Sequence, residues 1–318
     1  MAALGFRDRE ANFEMDIKGT RVFITGASGL VGSALVSALR ADGAEVTRAV
    51  RSSPGAGEIE WHPNHDEIDP ATLNGFDAII NLAGEGIAEG RWTDEKKRKI
   101  RDSRVNGTHL LSEAMAKLAR KPRAFLCASA TGFYGDRGDE LLDEESESGG
   151  GFLAGVCREW EKASEPAAKA GVRVVNLRFG PILAREGGMM AKLLTPFKMG
   201  VGGKVGSGKQ YISWVAIDDV VGAIKLALSN DTLRGPLNVV SPNPVTNEEF
   251  TATLGHVLSR PTVMSMPAFA ARLAFGEMAD EMLLVSQRVA PKKLTEAKYQ
   301  FRLPQLKGTF RKYLSQKA

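Results

Sequence analysis

Apolar residues along this chain fall into two alternating patterns: short runs with little polar alternation, and longer stretches at helical spacing. Arg21-Val22-Phe23-Ile24 is a β-type run. Leu30, Ala34, Leu35, Ala38 and Leu39 then recur at helical spacing until Gly43 closes the turn. Val46–Val50 predicts a second strand and Phe76–Ala83 a further one, and strands apolar on both faces belong in a parallel sheet covered by helices. Thr93 predicts the N-cap of a long helix reaching about Arg120, with Asp94 and Glu95 in the first turn, where they suit the helix dipole. Ala124–Ser129 and Arg173–Leu177 predict two more strands on either side of a helix near Leu153–Ala170. Further on, Asp218–Ser229 and Thr246–Leu258 predict helices, the second opened by the capping-box pair Thr246 and Glu249.

This alternation predicts an α/β fold, a Rossmann doubly wound parallel sheet with a smaller, mostly helical C-terminal lobe. Over 318 residues the expected division is an N-terminal extension at 1–18 and a Rossmann core at 19–180. A mixed substrate-side region with returning Rossmann elements follows at 181–260, then a helical C-terminal domain at 261–318.

Composition narrows the classes. A net charge of +4, with Lys and Arg spread along the chain, suits phosphate-bearing small molecules and forms no basic stripe for nucleic acid. Cys127 and Cys157 lack Cys-x-x-Cys spacing and a neighbouring His cluster, so neither a disulfide framework nor a metal site is expected. Arg7, Asp8, Arg9, Glu10 and Glu14 stand where a signal peptide needs an apolar run, and no stretch has the apolar length of a membrane span; a cytoplasmic location is expected.

Chemistry enters at Thr25-Gly26-Ala27-Ser28-Gly29-Leu30-Val31-Gly32. A pyrophosphate needs backbone N–H donors and a helix N-terminus aimed at it, with no side chains in the way; Gly26, Gly29 and Gly32 meet that need. A tight turn alone would also use glycines, but the strand before and the amphipathic helix after favour dinucleotide binding. At the end of the second strand stand Arg51 and Ser52, where an acidic residue would select NAD and an Arg accommodates the 2′-phosphate of NADP. A solvated loop cation is the other reading of Arg51.

Asn81-Leu82-Ala83-Gly84, Asn106-Gly107-Thr108 and Tyr134-Gly135-Asp136 join the glycine loop in an ordered set that resembles the extended short-chain dehydrogenase/reductase superfamily. With Arg91-Trp92-Thr93, Asp102-Ser103-Arg104, Gly206-Ser207-Gly208, Gly276-Glu277-Met278 and Ser286-Gln287-Arg288-Val289, the chain is similar to an atypical branch of NADP-dependent nucleoside-diphosphate-sugar-epimerase-like proteins. That branch has an uncharacterised C-terminal segment, here from about Pro261. The resemblance implies that Leu82, Ala83 and Gly84 lie along the cofactor and that Arg104 contacts phosphate or ribose. It further implies that Arg178–Ile182 closes over the nicotinamide end, whereas a plain strand terminus turned by Gly180 and Pro181 is the other reading. Homodimers are common among such relatives.

Superfamily catalysis uses a Ser or Thr on the reacting hydroxyl and a Tyr-x-x-x-Lys pair whose ammonium lowers the phenol pKa. Ser129, with Thr131 close by, fits the first role, but residues 151–160 contain no such pair. Tyr134 is the only nearby phenol, either catalytic or structural. Arg158, Glu159 and Glu161 are substitutes or helix-surface charges, and His62, His65, His109 and His256 are scattered. On the substrate side, Lys204 and Lys209 in a glycine-rich stretch either contact substrate phosphate or are solvated lysines of a β-turn. Two functions follow: an NADP(H)-dependent oxidoreductase or epimerase acting on a nucleotide sugar or small carbonyl compound, or a catalytically weak NADP(H) sensor or scaffold.

Overall fold

Seven short strands assemble into one sheet in the computed structural model, which describes residues 17–62, 68–185 and 187–315. They are β1 (Arg21–Thr25), β2 (Glu45–Val50), β3 (Glu58–Glu60), β4 (Ala78–Asn81), β5 (Ala124–Ala130), β6 (Arg173–Phe179) and β7 (Gly235–Val239). All pairings are parallel, in the order β7-β6-β5-β4-β1-β2-β3. After β3 the chain crosses back over β1 to β4, so the strand order reverses between β1 and β4 and a crevice opens at their C-terminal ends.

Two strands escape the apolar pattern, β3 and β7. Both are edges with one neighbour, where a polar Glu-Ile-Glu or the missing N–H of Pro236 costs little. In the centre, Ile79, Ile80, Phe125 and Leu126 have no exposed surface, because helices cover both faces.

The helices are α1 (Leu30–Ala41), α2 (Asp94–Lys117), α3 (Phe152–Lys162), α4 (Glu165–Lys169), α5 (Gly188–Lys198), α6 (Ile217–Ser229), α7 (Asn247–Leu258), α8 (Ala268–Phe275), α9 (Lys292–Glu296) and α10 (Leu306–Ser315). One face of the sheet buries Leu35 and Leu39 of α1 with Val220, Ile224 and Ala227 of α6; the other buries Leu111 and Met115 of α2 with Ala167 of α4. Thr93 caps α2, its hydroxyl accepting from Lys96 N–H at 3.2 Å, and Thr246 caps α7 through Glu249 N–H at 3.2 Å.

The helix expected over 153–170 is two. Pro166 has no N–H to continue the ladder, so the chain breaks at Ala163–Ser164 and α4 restarts with proline in its first turn. Strand β6 runs through Arg178 and Phe179, which pair with Ser129 and Ala130 of β5; the loop expected from Arg178 begins at Gly180.

The C-terminal part is largely helical but stitched into the rest. Met264–Met266 pairs with Gly203–Val205, and Arg288–Val289 with Leu141–Leu142. Leu294 joins the main core, while Leu306 and Phe310 pack with Phe250 and Trp214. The buried Asp219 carboxylate at the start of α6 accepts from the backbone N–H groups of Arg302 (2.7 Å) and Leu303 (3.0 Å). Close backbone approach also explains the glycines around 203: a Cβ on Gly203 would collide with the Met264 carbonyl oxygen, and one on Gly206 would stand 2.8 Å from Leu284 Cδ2. Among the described residues no helix is long and apolar enough to cross a membrane. The expected extension lies almost wholly outside the described residues, as does His65.

Candidate functional site

The glycine loop joins β1 to α1 at the mouth of the crevice. Gly26 has φ +66°, and a Cβ there would stand 2.6 Å from the carbonyl carbon of Leu82; a Cβ on Gly32 would run into the Gly26 carbonyl oxygen. The loop therefore lies against the backbone leaving β4, with Gly29 N–H donating to Gly26 O at 3.0 Å. Gly29 caps α1 with no side chain, and no acidic residue sits in the first turn, so the orphan N–H groups and positive dipole end are left for an anion. Gly26→Ala is expected to lower stability by about 1–3 kcal/mol in chemical denaturation, from the left-handed φ and the collision together.

Beneath the loop the polar side chains are tied down. Thr25 Oγ1 donates to Asn81 Oδ1 at 2.5 Å, and Asn81 Nδ2 donates to Thr108 Oγ1 at 2.8 Å. Trp160 Nε1 also donates to Thr108 Oγ1, at 2.9 Å, and Ala83 N–H reaches Thr25 Oγ1 at 3.3 Å. This fixes the exit of Leu82, Ala83 and Gly84 beside the glycine loop. Arg104 follows: a Cβ on Gly84 would stand 3.3 Å from its Cζ, and its guanidinium lies 5.2 Å from the Trp160 ring. Burial lowers the Arg104 pKa below the ordinary guanidinium range.

Val31, Leu82 and Ile182 are half-buried against the same core, and Leu30 and Ile182 meet at the start of α5, where both approach Gly188. Ser28 is exposed. Arg51 and Ser52 follow β2, exposed, and Arg51 makes no ion pair or hydrogen bond among the described residues, whereas nearby Arg48 is neutralised by Glu58 on β3.

At the C-terminal ends of β5 and β6 lies a buried polar chain. Ser129 Oγ donates to Glu161 Oε1 at 2.7 Å. Arg178 grips the same carboxylate with two bonds, Nε to Oε1 and Nη2 to Oε2, both 2.8 Å, and donates through Nη1 to the Tyr134 hydroxyl at 2.9 Å. The side chains of Arg178 and Glu161 are only 4% and 13% exposed. Phe133 stacks under the guanidinium, its centroid 3.5 Å from Cζ. Tyr134 is fully buried between Asn238 Oδ1 (2.7 Å) and the Asp143 carbonyl (2.8 Å), and burial pushes its pKa up to about 12. Its place is that of a neutral strut beneath the site.

Glu161 is therefore no helix-surface charge. Leu153, Cys157 and Glu161 recur every four residues along α3, and this face turns toward the strand ends: a Cβ on Gly132 would lie 3.4 Å from Leu153 Cβ and 3.8 Å from Cys157 Sγ. Leu153 and Cys157 thus hold the four-residue spacing that a Tyr-x-x-x-Lys pair uses. Burial pushes the Cys157 thiol up to about 12, which leaves it protonated. Thr131 is buried at the head of the short 3-10 turn Thr131–Tyr134. Arg158 and Glu159 point away, Arg158 to Ser148 Oγ and the Gly149 carbonyl, Glu159 to Arg101.

Arg178 and Asn238 belong to the site: the sequence offered Arg178 only as the start of a closing loop and gave Asn238 no motif, and it is register that places Arg178 beside Ser129 and Asn238 beside Arg178. His62 pairs with Glu60, His109 lines a surface groove between α2 and α3, and His256 lies on α7. Lys204 is taken up by Glu248 at 2.8 Å on an exposed face.

Comparison with known proteins agrees with this fold. Residues 22–239 fit the NAD dependent epimerase/dehydratase family, and residues 266–312 fit a domain of unknown function, DUF1731. An epimerase family protein of Mycobacterium leprae is 43% identical over 281 residues, covering 88% of this chain and 91% of the relative. The human epimerase family protein SDR39U1, solved with NADPH, superposes with a TM-score of 0.85 at 32% identity, covering 93% of this chain and 99% of the human one. A nucleoside-diphosphate sugar epimerase from Corynebacterium glutamicum superposes at 0.79 with 39% identity, covering 94% of this chain and 59% of the other.

Proposed function

The chain belongs to the NAD dependent epimerase/dehydratase family, and from that premise we propose that it is an NADP(H)-binding oxidoreductase of epimerase-like build. Its substrate in this reading is a small carbonyl compound or a nucleotide sugar. The observation that carries the cofactor choice is the exposed Arg51 at the end of β2, without a partner among the described residues, at the position that separates NADP from NAD in this architecture. The human relative solved with NADPH supports it.

The residues present fit such a cofactor: Gly26 and Gly32 let the loop fold tightly against its own backbone and that leaving β4, and the cap of α1 is bare, with no acidic residue in its first turn. These glycines, with Ser28, Leu30 and Val31, hold the pyrophosphate; Arg51 and Ser52 take the 2′-phosphate. Leu82, Ala83, Gly84, Arg104 and Ile182 line the remaining length. When bound, NADP(H) supplies hydride transfer at its nicotinamide. The chain's part at the reacting end falls to Ser129 and Thr131. Because the Ser129 hydroxyl donates its hydrogen bond to Glu161, which is itself held by Arg178, the Ser129 oxygen is left as an acceptor that orients a substrate hydroxyl.

A second reading, an NADP(H) sensor with little turnover, is favoured by one observation: the face of α3 beside the end of β5 presents Leu153 and Cys157, at the four-residue spacing of an acid/base pair but with neither a phenol nor an ammonium. Turnover assays over small carbonyls and sugar nucleotides separate the two. Ser129→Ala is expected to lower turnover about 100-fold while the NADPH dissociation constant stays unchanged. A slow turnover indifferent to the substitution would support the sensor instead.

A further inference from the structure

The segment matching the domain of unknown function places a carboxylate against the wall of the site. Glu281, in the π-type turn Ala279–Leu283, accepts from the backbone N–H groups of Phe152 (2.9 Å) and Leu153 (3.0 Å). These are first-turn donors of α3, whose cap residue Gly151 has no side chain to meet them. Gly151 has φ +97°, and a Cβ there would stand 2.5 Å from Glu281 Oε1, so the glycine clears the space that the carboxylate fills.

The same segment is anchored on three sides. Gln210 Nε2 donates to the Leu283 carbonyl at 2.9 Å, and Gly206 makes room for Leu284. Lys97, near the start of α2, pairs with Glu277 at 2.8 Å, and its ammonium lies 4.7 Å from the Phe152 ring. Phe152 in turn meets Trp92 edge-on, with ring centroids 5.4 Å apart, and Arg91 Nη2 donates to the Leu273 carbonyl at 3.0 Å. Residues 273–284 thus strap the start of α2 to the start of α3.

Leu153, whose N–H Glu281 holds, begins the row Leu153, Cys157, Glu161, which runs along the turn after β5 at Gly132 and ends on Ser129. We propose that Glu281 is a positioning residue: it sets α3 against the end of β5, and the C-terminal part thereby completes the wall of the reacting end. That this wall borders the nicotinamide rests on the proposed function. A plain helix cap would add general stability; a positioning residue affects the nicotinamide half of the cofactor and leaves the adenine half alone.

The test uses the full chain with Glu281→Ala and Glu281→Gln, calorimetric titration with NADPH and with adenosine 2′,5′-bisphosphate, and amide hydrogen exchange. In the Ala variant, exchange at Phe152 and Leu153 is expected to rise about tenfold. NADPH should bind about fivefold more weakly, with the bisphosphate held within about twofold. Glu281→Gln, which keeps one carbonyl acceptor, should recover part of both losses, and it decides by the same readings if the Ala variant does not fold. Unchanged exchange, unchanged NADPH affinity, or an equal loss for both ligands would overturn the proposal. If the unmodified protein binds no NADPH, the cofactor reading fails, and exchange alone decides whether Glu281 holds α3.

Discussion

Arg51→Asp is expected to weaken NADPH binding about 100-fold and to leave NADH within a few-fold of its starting affinity. Charge-assisted bonds to a phosphate contribute about 1.5–3 kcal/mol, and every 1.4 kcal/mol is about tenfold. Reversing the charge adds repulsion to that loss. Arg51 has no carboxylate partner among the described residues, so its removal breaks no ion pair among them, and the melting temperature without ligand is expected to hold. Parallel titrations of both proteins with NADPH and NADH read the effect; equal losses for the two cofactors would sink the assignment of Arg51, and no binding of either would sink the cofactor.

Removing one end of the buried pair should have the largest effect on stability. Glu161→Ala strands the Arg178 guanidinium, 4% exposed, without its carboxylate, and leaves the Ser129 hydroxyl without its acceptor. The expected cost is about 3–5 kcal/mol, because an uncompensated buried charge loses both water and partner. The double variant Glu161→Leu with Arg178→Met should recover most of it, since apolar groups of similar volume need no solvation. Urea denaturation at constant m-value measures both; a double variant no more stable than Glu161→Ala would show that packing, not charge, sets the cost.

Sequence alone carried the half of the candidate site around the glycine loop. Gly26, Gly29, Gly32 and Arg51 lie within one strand–loop–helix–strand unit, where spacing along the chain dictates placement in space, because a strand and a helix have fixed rise and the loop between them is short. The central strands were legible for a related reason: burial on both faces demands unbroken apolar runs. The edge strands β3 and β7 were not, since an edge relaxes that demand.

The reacting end was decided by tertiary structure. Ser129 and Tyr134, Glu161, Arg178 and Asn238 come from four separate stretches and meet only because β5, β6 and β7 lie side by side with α3 above them. A carboxylate on an amphipathic helix looks solvated in sequence, and only the packing of α3 turned Glu161 inward, onto a guanidinium that pairs with Ser129 in register. Glu281 lies more than a hundred residues beyond the helix it caps, a distance over which no local spacing rule operates. Local periodicity thus determined the elements and the glycine loop, while contacts between elements distant in the chain decided which charges are buried and what meets at the C-terminal ends of β5 and β6.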